Sequence, residues 1–244
     1  MAVQVFATST SRLLRTLQME SGQKVVGYKI CPVNPEVLYI FTPKLVTKWN
    51  WDSGKRLARW ETDATVTAVD VPVVENEQQL ASYSILTQKD GKKQISINPL
   101  ADKKAPGIVA LQTNEQINAV QVAYGGRVIF ASGGNRIFLG TAAKFDIGNP
   151  ESVSFKWREA ALPVSATCFH LRESTATSSK SADVIDLVVG EKGGSILIYH
   201  DLSNTLFGRS AEKSPPRKLH WHRSSVNTVR WSKDGKLSFY FLLV

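Results

Sequence analysis

The chain has 244 residues, 43% hydrophobic and 21% charged, with 30 Lys and Arg against 21 Asp and Glu, a formal net charge of +9 and a pI near 9.6. That length supports one good-sized domain or two small ones, and no apolar run approaches the roughly 18 residues that cross a bilayer, so no membrane span is expected. A basic balance favours polyanionic partners such as RNA, DNA or acidic protein surfaces.

The opening "MAVQVFATSTSRLLRTLQ" has no apolar h-region or small-residue cleavage site, which argues against a secretory signal. It is rich in Ser, Thr and Arg, as transit peptides are, but Val3 to Leu17 also alternates as strand, turn, strand. Helical periodicity is nearly absent beyond it. Short alternating apolar runs follow one another, separated by Gly, Pro, Asn, Asp and Ser, as in an all-β protein with many short strands.

One frame recurs along the chain: "VVGYKI" from Val25, "VTAVDV" from Val66, "INAVQV" from Ile117, "VSATCF" from Val164 and "VNTVRW" from Val226. The spacings are 41, 51, 47 and 62 residues, and the longer intervals contain polar insertions: "VENEQQ", "RESTATSSKSAD" and "SNTLFGRSAEKSPPR". Their composition is that of solvated loops. A second pattern lies between the frames. In "VTKWNWDSGKRLARW", Val46 to Trp60, an aromatic is followed by a turn with Gly54 and a basic strand. Val3 to Leu17 aligns with it, Phe6 on Trp49, Ser11 on Gly54 and Arg12 on Lys55. "ILIYHDL" repeats the aromatic as Tyr199, while "QISINPL" and "RIFLGTA" keep only the alternation.

Taken together these patterns resemble a WD-repeat β-propeller, whose blades are four-stranded units of about 40 to 45 residues. The resemblance implies an all-β fold with four full blades, at residues 22–61, 63–114, 115–161 and 163–222. Residues 2–18 supply the last two strands of a preceding blade, and residues 224–244 the first two of a following one. Residues 1–244 are read as a single propeller domain, incomplete at both ends and part of a larger propeller. The five frame positions are expected on innermost strands, with Val226 and Trp231 in the core.

Chemistry-bearing residues are sparse. Two cysteines, Cys31 and Cys168, make neither a disulfide framework nor a Cys-based zinc motif and suit a reducing compartment. His220 and His222 share one face of a strand in "LHWH". Zinc needs three or four ligands, and His170 and His200 are read as lying in other blades, so no metal is expected. There is no G-x-S-x-G elbow, P-loop or dinucleotide fingerprint. "FASGGNRIF" is a hairpin, and Asp52, Asp201 and Asp234 are placed at turns. Neither enzymatic activity nor a cofactor or small-molecule substrate is expected.

The basic residues are concentrated. Residues 211–236 carry Lys213, Arg217, Lys218, Arg223, Arg230, Lys233 and Lys236 against Glu212 and Asp234, a net +5. Lys213, Arg217, Lys218, Arg223 and Lys233 are the candidate contacts to RNA or an acidic partner, Arg230 being weaker because it alternates with buried positions. A smaller cluster comprises Lys89, Lys92, Lys93, Lys103 and Lys104. "LHWHRSSVNTVRWSKDGK", Leu219 to Lys236, resembles the corresponding segment of the WD repeat-containing protein 75 family, in its "LHWH" strand and its Ser232-to-Gly235 turn.

That resemblance implies a non-enzymatic scaffold, a t-UTP (UtpA) subunit of the small-subunit processome. It would act in the nucleus and nucleolus on the 5′ external transcribed spacer of pre-ribosomal RNA, with other t-UTP subunits and processome proteins as partners. A WD-repeat adaptor in another complex, such as a ubiquitin-ligase receptor or coat subunit, is the alternative. "LSFYFLLV" stands where the family has a "YTGG"-type turn, so the missing strands are expected from elsewhere.

Overall fold

The computed structural model describes residues 2–20, 22, 24–87, 93–100, 107–173, 184–207, 215–220, 223–232 and 237–240. The chain divides into two compact units, one of residues 1–114 with 146–153 and one of residues 115–145 with 154–244.

In the first unit β1 (Ala2–Phe6) and β2 (Leu13–Gln18) form a two-stranded sheet. Two four-stranded antiparallel sheets follow, each a meander in chain order. One is β3 (Gly27–Ile30), β4 (Val37–Phe41), β5 (Leu45–Asn50) and β6 (Lys55–Glu61); the other is β7 (Thr65–Asp70), β8 (Ala81–Thr87), β9 (Lys93–Pro99) and β10 (Ile108–Thr113). The second unit holds two more, β11 (Ala119–Ala123) through β12 (Val128–Gly133) and β13 (Arg136–Thr141) to β14 (Lys156–Ala161), then β15 (Ala166–Glu173) through β16 (Ile185–Glu191) and β17 (Ser195–Tyr199) to β18 (Arg217–His220). A last pair, β19 (Thr228–Trp231) and β20 (Leu237–Tyr240), is two-stranded. The four expected four-stranded units and the two half-units therefore all form. The third strands are the segments read as such: "ILIY" is β17, "QISINP" lies in β9 and "RIFLGT" is β13.

The middle strands are buried on both faces. In β4 every residue is buried, and alternate side chains leave on opposite sides. Val37, Tyr39 and Phe41 join a core with Val46, Val71, Leu80 and Leu100. Leu38 and Ile40 join another with Leu17, Met19 and Trp49. The same division runs through β16 and β17. Leu187, Val189, Leu197 and Tyr199 pack with Phe130 and Leu139, whereas Val188, Ile196 and Ile198 pack with Val226 and Val229. Each such side chain contributes roughly 1.5–3 kcal/mol relative to exposure.

First strands are joined by side chains. Lys29 of β3 forms an ion pair with the buried Asp70 of β7. The Gln121 carboxamide of β11 accepts from Leu171 N–H (2.8 Å) and donates to Leu171 C=O (3.3 Å) on β15. His170 Nδ1 of β15 accepts from Trp231 N–H of β19 at 3.1 Å.

Two readings need correction. Val66 lies on β7, but Val25, Ile117, Val164 and Val226 each sit two residues ahead of a first strand. Near two of these the chain bonds to the turn of an adjoining sheet, Val226 N–H to Glu191 C=O (3.1 Å) and Ala166 N–H to Gly134 C=O (3.2 Å), and Val164 is 42% exposed. The insertion at residues 203–217 is not wholly solvated. It follows Asp201 (φ 51°) through a short helix, α1 (Leu202–Thr205), whose Leu202 is fully buried, and Leu206 and Phe207 pack on the same core. The wide core between the two sheets offers apolar contact to this segment, which polar composition alone conceals.

Gly190 marks a close approach in the second unit. A Cβ there would stand 2.6 Å from Cys168 Sγ and 2.7 Å from Val226 Cγ1. Gly190→Ala is expected to destabilise the protein by about 1–3 kcal/mol through overpacking. Chemical denaturation should show a lower midpoint with an unchanged slope.

Candidate nucleic-acid or acidic-partner interface

Of the five candidate contacts, Arg217 and Lys218 lie on β18 and Arg223 in the turn leading to β19; all three are exposed. Lys213 and Lys233 lie outside the described residues, as do Trp221, His222, Asp234, Lys236, Lys89, Lys92, Lys103 and Lys104. Arg217 stands opposite Ile198 and Lys218 opposite Leu197, so the two cations leave the strand on opposite faces. They do not form one patch by alternation. Arg230 is exposed beside buried Val229, which makes it more available than its place on an inner strand suggests. Among the described residues, none forms an ion pair with Arg217, Arg223 or Arg230.

Lys218 has a different setting. Glu191, at the end of β16, is buried, and loss of hydration raises its carboxyl pKa while the Lys218 and His220 charges pull it back. Ser195 stands opposite His220, and Glu191 lies beside Ser195 on the same row. The row thus reads Glu191, Ser195, His220. A relay of Ser, His and carboxylate needs the imidazole in the middle, so this order does not provide one. The Cys168 thiol is pushed up by burial, the opposite of an activated nucleophile.

His170, His200 and His220 belong to one sheet, not to different ones: His170 is on β15, His200 follows β17 and His220 is on β18. In the sheet order His200 lies one strand from His220 and two from His170, and His220 and His170 are three apart. Among the described residues no group of three His, Cys, Asp or Glu side chains could hold a metal ion.

A polar cluster in the second unit was missed by sequence reasoning. Buried Asp186 of β16 pairs with Arg172 of β15, accepts Asp201 N–H at 3.1 Å, and has His200 Nδ1 at 3.6 Å. The Arg172 guanidinium lies 4.5 Å from the centroid of the Trp231 ring, whose Nε1 is buried with no hydrogen-bond partner among the described residues. The cluster ties three strands and a loop together, and its charges neutralise each other in place.

Outer strands carry much of the remaining charge: Lys55, Arg56 and Arg59 on β6, Lys156 and Arg158 on β14, Arg217 and Lys218 on β18. On β6 this charge is partly satisfied, since Glu20 pairs with Arg56 and Arg59. Charges at a sheet edge also deter pairing with other chains. What sets the β18–β19 region apart is exposed Arg217, Arg223 and Arg230 without a described acidic partner. Compared with models of known protein families and with curated protein sequences, the chain matches none.

Two expectations follow. Asp186→Ala leaves Arg172 uncompensated and is expected to cost about 2–4 kcal/mol, somewhat less than a fully buried pair because Arg172 reaches solvent; thermal or urea unfolding reads it. For Glu191 the sign runs the other way. A carboxyl raised in the folded state binds more protons than in the unfolded chain, so its charge weakens the fold as pH rises above the ordinary carboxylate range. Glu191→Gln should therefore gain stability relative to the parent at pH 7–8 and lose that gain toward pH 4.

Proposed function

We propose that the chain is a non-enzymatic β-propeller scaffold of ribosome assembly, acting as a t-UTP subunit of the small-subunit processome near the 5′ external transcribed spacer of pre-ribosomal RNA. Four four-stranded sheets and two half-sheets are compatible with successive blades of one propeller, and each first strand that meets another does so through side chains, as neighbouring blades would. The observation that carries the functional reading is the segment from Leu219 to Lys236. Its "LHWH" and Ser-x-Asp-Gly motifs carry the family resemblance, and Arg217, Arg223 and Arg230 are exposed.

Repeated sheets suit scaffolding. They hold loops and outer strands at fixed separations without needing a chemical centre. Exposed arginines suit a phosphate backbone, because guanidinium groups bind phosphate oxygens in a forked geometry and release condensed counterions. Such contacts position an RNA and carry little base specificity. In this reading the protein resides in the nucleolus with its sister subunits.

Affinity purification from cells tests the assignment. The tagged chain should enrich pre-ribosomal RNA and processome proteins; enrichment of ubiquitin-ligase or coat components without pre-ribosomal RNA would support the adaptor reading instead. Direct RNA contact has its own test. Replacing Arg217 and Arg223 with Ala should reduce the salt dependence of single-stranded RNA binding by about 0.7 per lost contact in the slope of log K against log salt. An unchanged slope would assign these residues to a protein partner.

A further inference from the structure

The end of the β15–β18 sheet that carries the β16–β17 turn gathers cations which two other sheets balance at the same place. On β6 the residue opposite the start of the third strand is Glu61, facing Leu45; Arg59 stands two residues before it, and the two pair at 3.9 Å. On β14 the corresponding positions hold Ala161 and Glu159, and Glu159 pairs with Arg136. On β18 they hold His220, opposite Ser195, and Lys218, opposite Leu197, with no acid at either position. The carboxyl at this end, Glu191, is buried within the field of Lys218 and His220. It lies out of reach of a ligand in solvent, whereas both cationic side chains are exposed.

Two more cations join them. Lys192 follows Glu191 in the turn and is exposed. Val226 N–H bonds to Glu191 C=O at 3.1 Å, which ties the bend holding exposed Arg223 to the same turn. Among the described residues, none forms an ion pair with Lys192, Lys218 or Arg223.

The turn itself is open. Gly194 has a φ of 84°, a conformation that favours glycine. Gly193 has no such need, and a Cβ there would meet nothing within 4 Å. Neither backbone conformation nor packing calls for the absent side chain, and its absence leaves the main chain bare to close approach by a ligand.

We infer that Lys192, Lys218, His220 and Arg223 form a site for the phosphodiester backbone of single-stranded RNA, laid across the Gly193 turn. Lys218 and His220 are two residues apart on one face of β18, about 6.8 Å along the strand. That is close to the separation of successive phosphates in an extended nucleic-acid strand, so the pair suits a chain of phosphates better than a lone one. Ammonium and guanidinium groups bind phosphate oxygens through charge-assisted hydrogen bonds and displace condensed counterions. The inference rests on the RNA reading above and deepens it, adding Lys192 and His220 and giving the contacts a common focus in one turn.

Binding of a fluorescent oligouridylate to the full chain, read by anisotropy across a salt series, tests the site. Lys192→Ala/Lys218→Ala should lower the slope of log K against log salt by about 1.4, or 0.7 for each lost contact. Lys55→Ala/Lys156→Ala, which removes the same charge from two other outer strands, should leave the slope unchanged. Gly193→Asp should weaken binding while the unfolding midpoint stays that of the parent. The inference is overturned if the first pair leaves the slope unchanged or lowers it no more than the second pair does; RNA binding by the parent would then stand, with its contacts elsewhere. It is also overturned, together with direct RNA contact, if the parent does not bind oligouridylate. A parent that instead binds a phosphoserine peptide through Lys192 and Lys218 would assign the turn to a phosphorylated protein.

Discussion

The middle strands β4, β5, β12, β13, β16 and β17 are largely buried on both faces, and this two-sided burial is the constraint from which the rest of the structure follows. A strand such as β4, buried at every residue, cannot lie at a protein surface. Its sheet has to be sandwiched, with Tyr39 and Phe41 serving one neighbour and Leu38 and Ile40 the other. An antiparallel sheet solvated on one side would alternate apolar with polar instead. Once each sheet needs a neighbour on both faces, a series of similar sheets is the simplest solution.

Apart from the Asp186 cluster and Glu191 on β16, close stacking leaves two kinds of position for polar groups. One is the first strand, where neighbouring sheets approach and the backbone does not pair across. There Lys29 meets Asp70, and Gln121 bonds both polar groups of Leu171. These links are satisfied in pairs, as buried polar groups must be. The other is the outer strand, solvated along an edge, where Arg and Lys side chains collect. The fold thus sorts polar residues by strand: inner ones hold sheets together and outer ones face solvent. Arg217 and Arg223 belong to the second class, while Lys218 stands closer to the first through its field on Glu191.

Much of this was legible because strand alternation and turn chemistry are local. The frame from Val25 to Val226 located every first strand within two residues, and the aromatic-turn-basic pattern located the third and fourth strands, including the Ser11 turn. The polar links were harder to see. Lys29 and Asp70 hold the same position in consecutive repeats and carry opposite charges, a signal present in the alignment but hidden at a site read as variable. Arg172, Asp186 and Trp231 are brought together across three strands, and no local pattern encodes that meeting. Placing His170 and His200 in blades other than that of His220 was at odds with the unit read at residues 163–222, which already holds all three.

Hydrogen–deuterium exchange, resolved by strand, tests two-sided burial most directly. Slowest exchange is expected in the second and third strands of three complete sheets, β4, β5, β12, β13, β16 and β17, with their solvated fourth strands β6, β14 and β18 exchanging markedly faster. Protection as strong in those fourth strands as in their middle neighbours, or fast exchange throughout β4 and β16, would contradict the account.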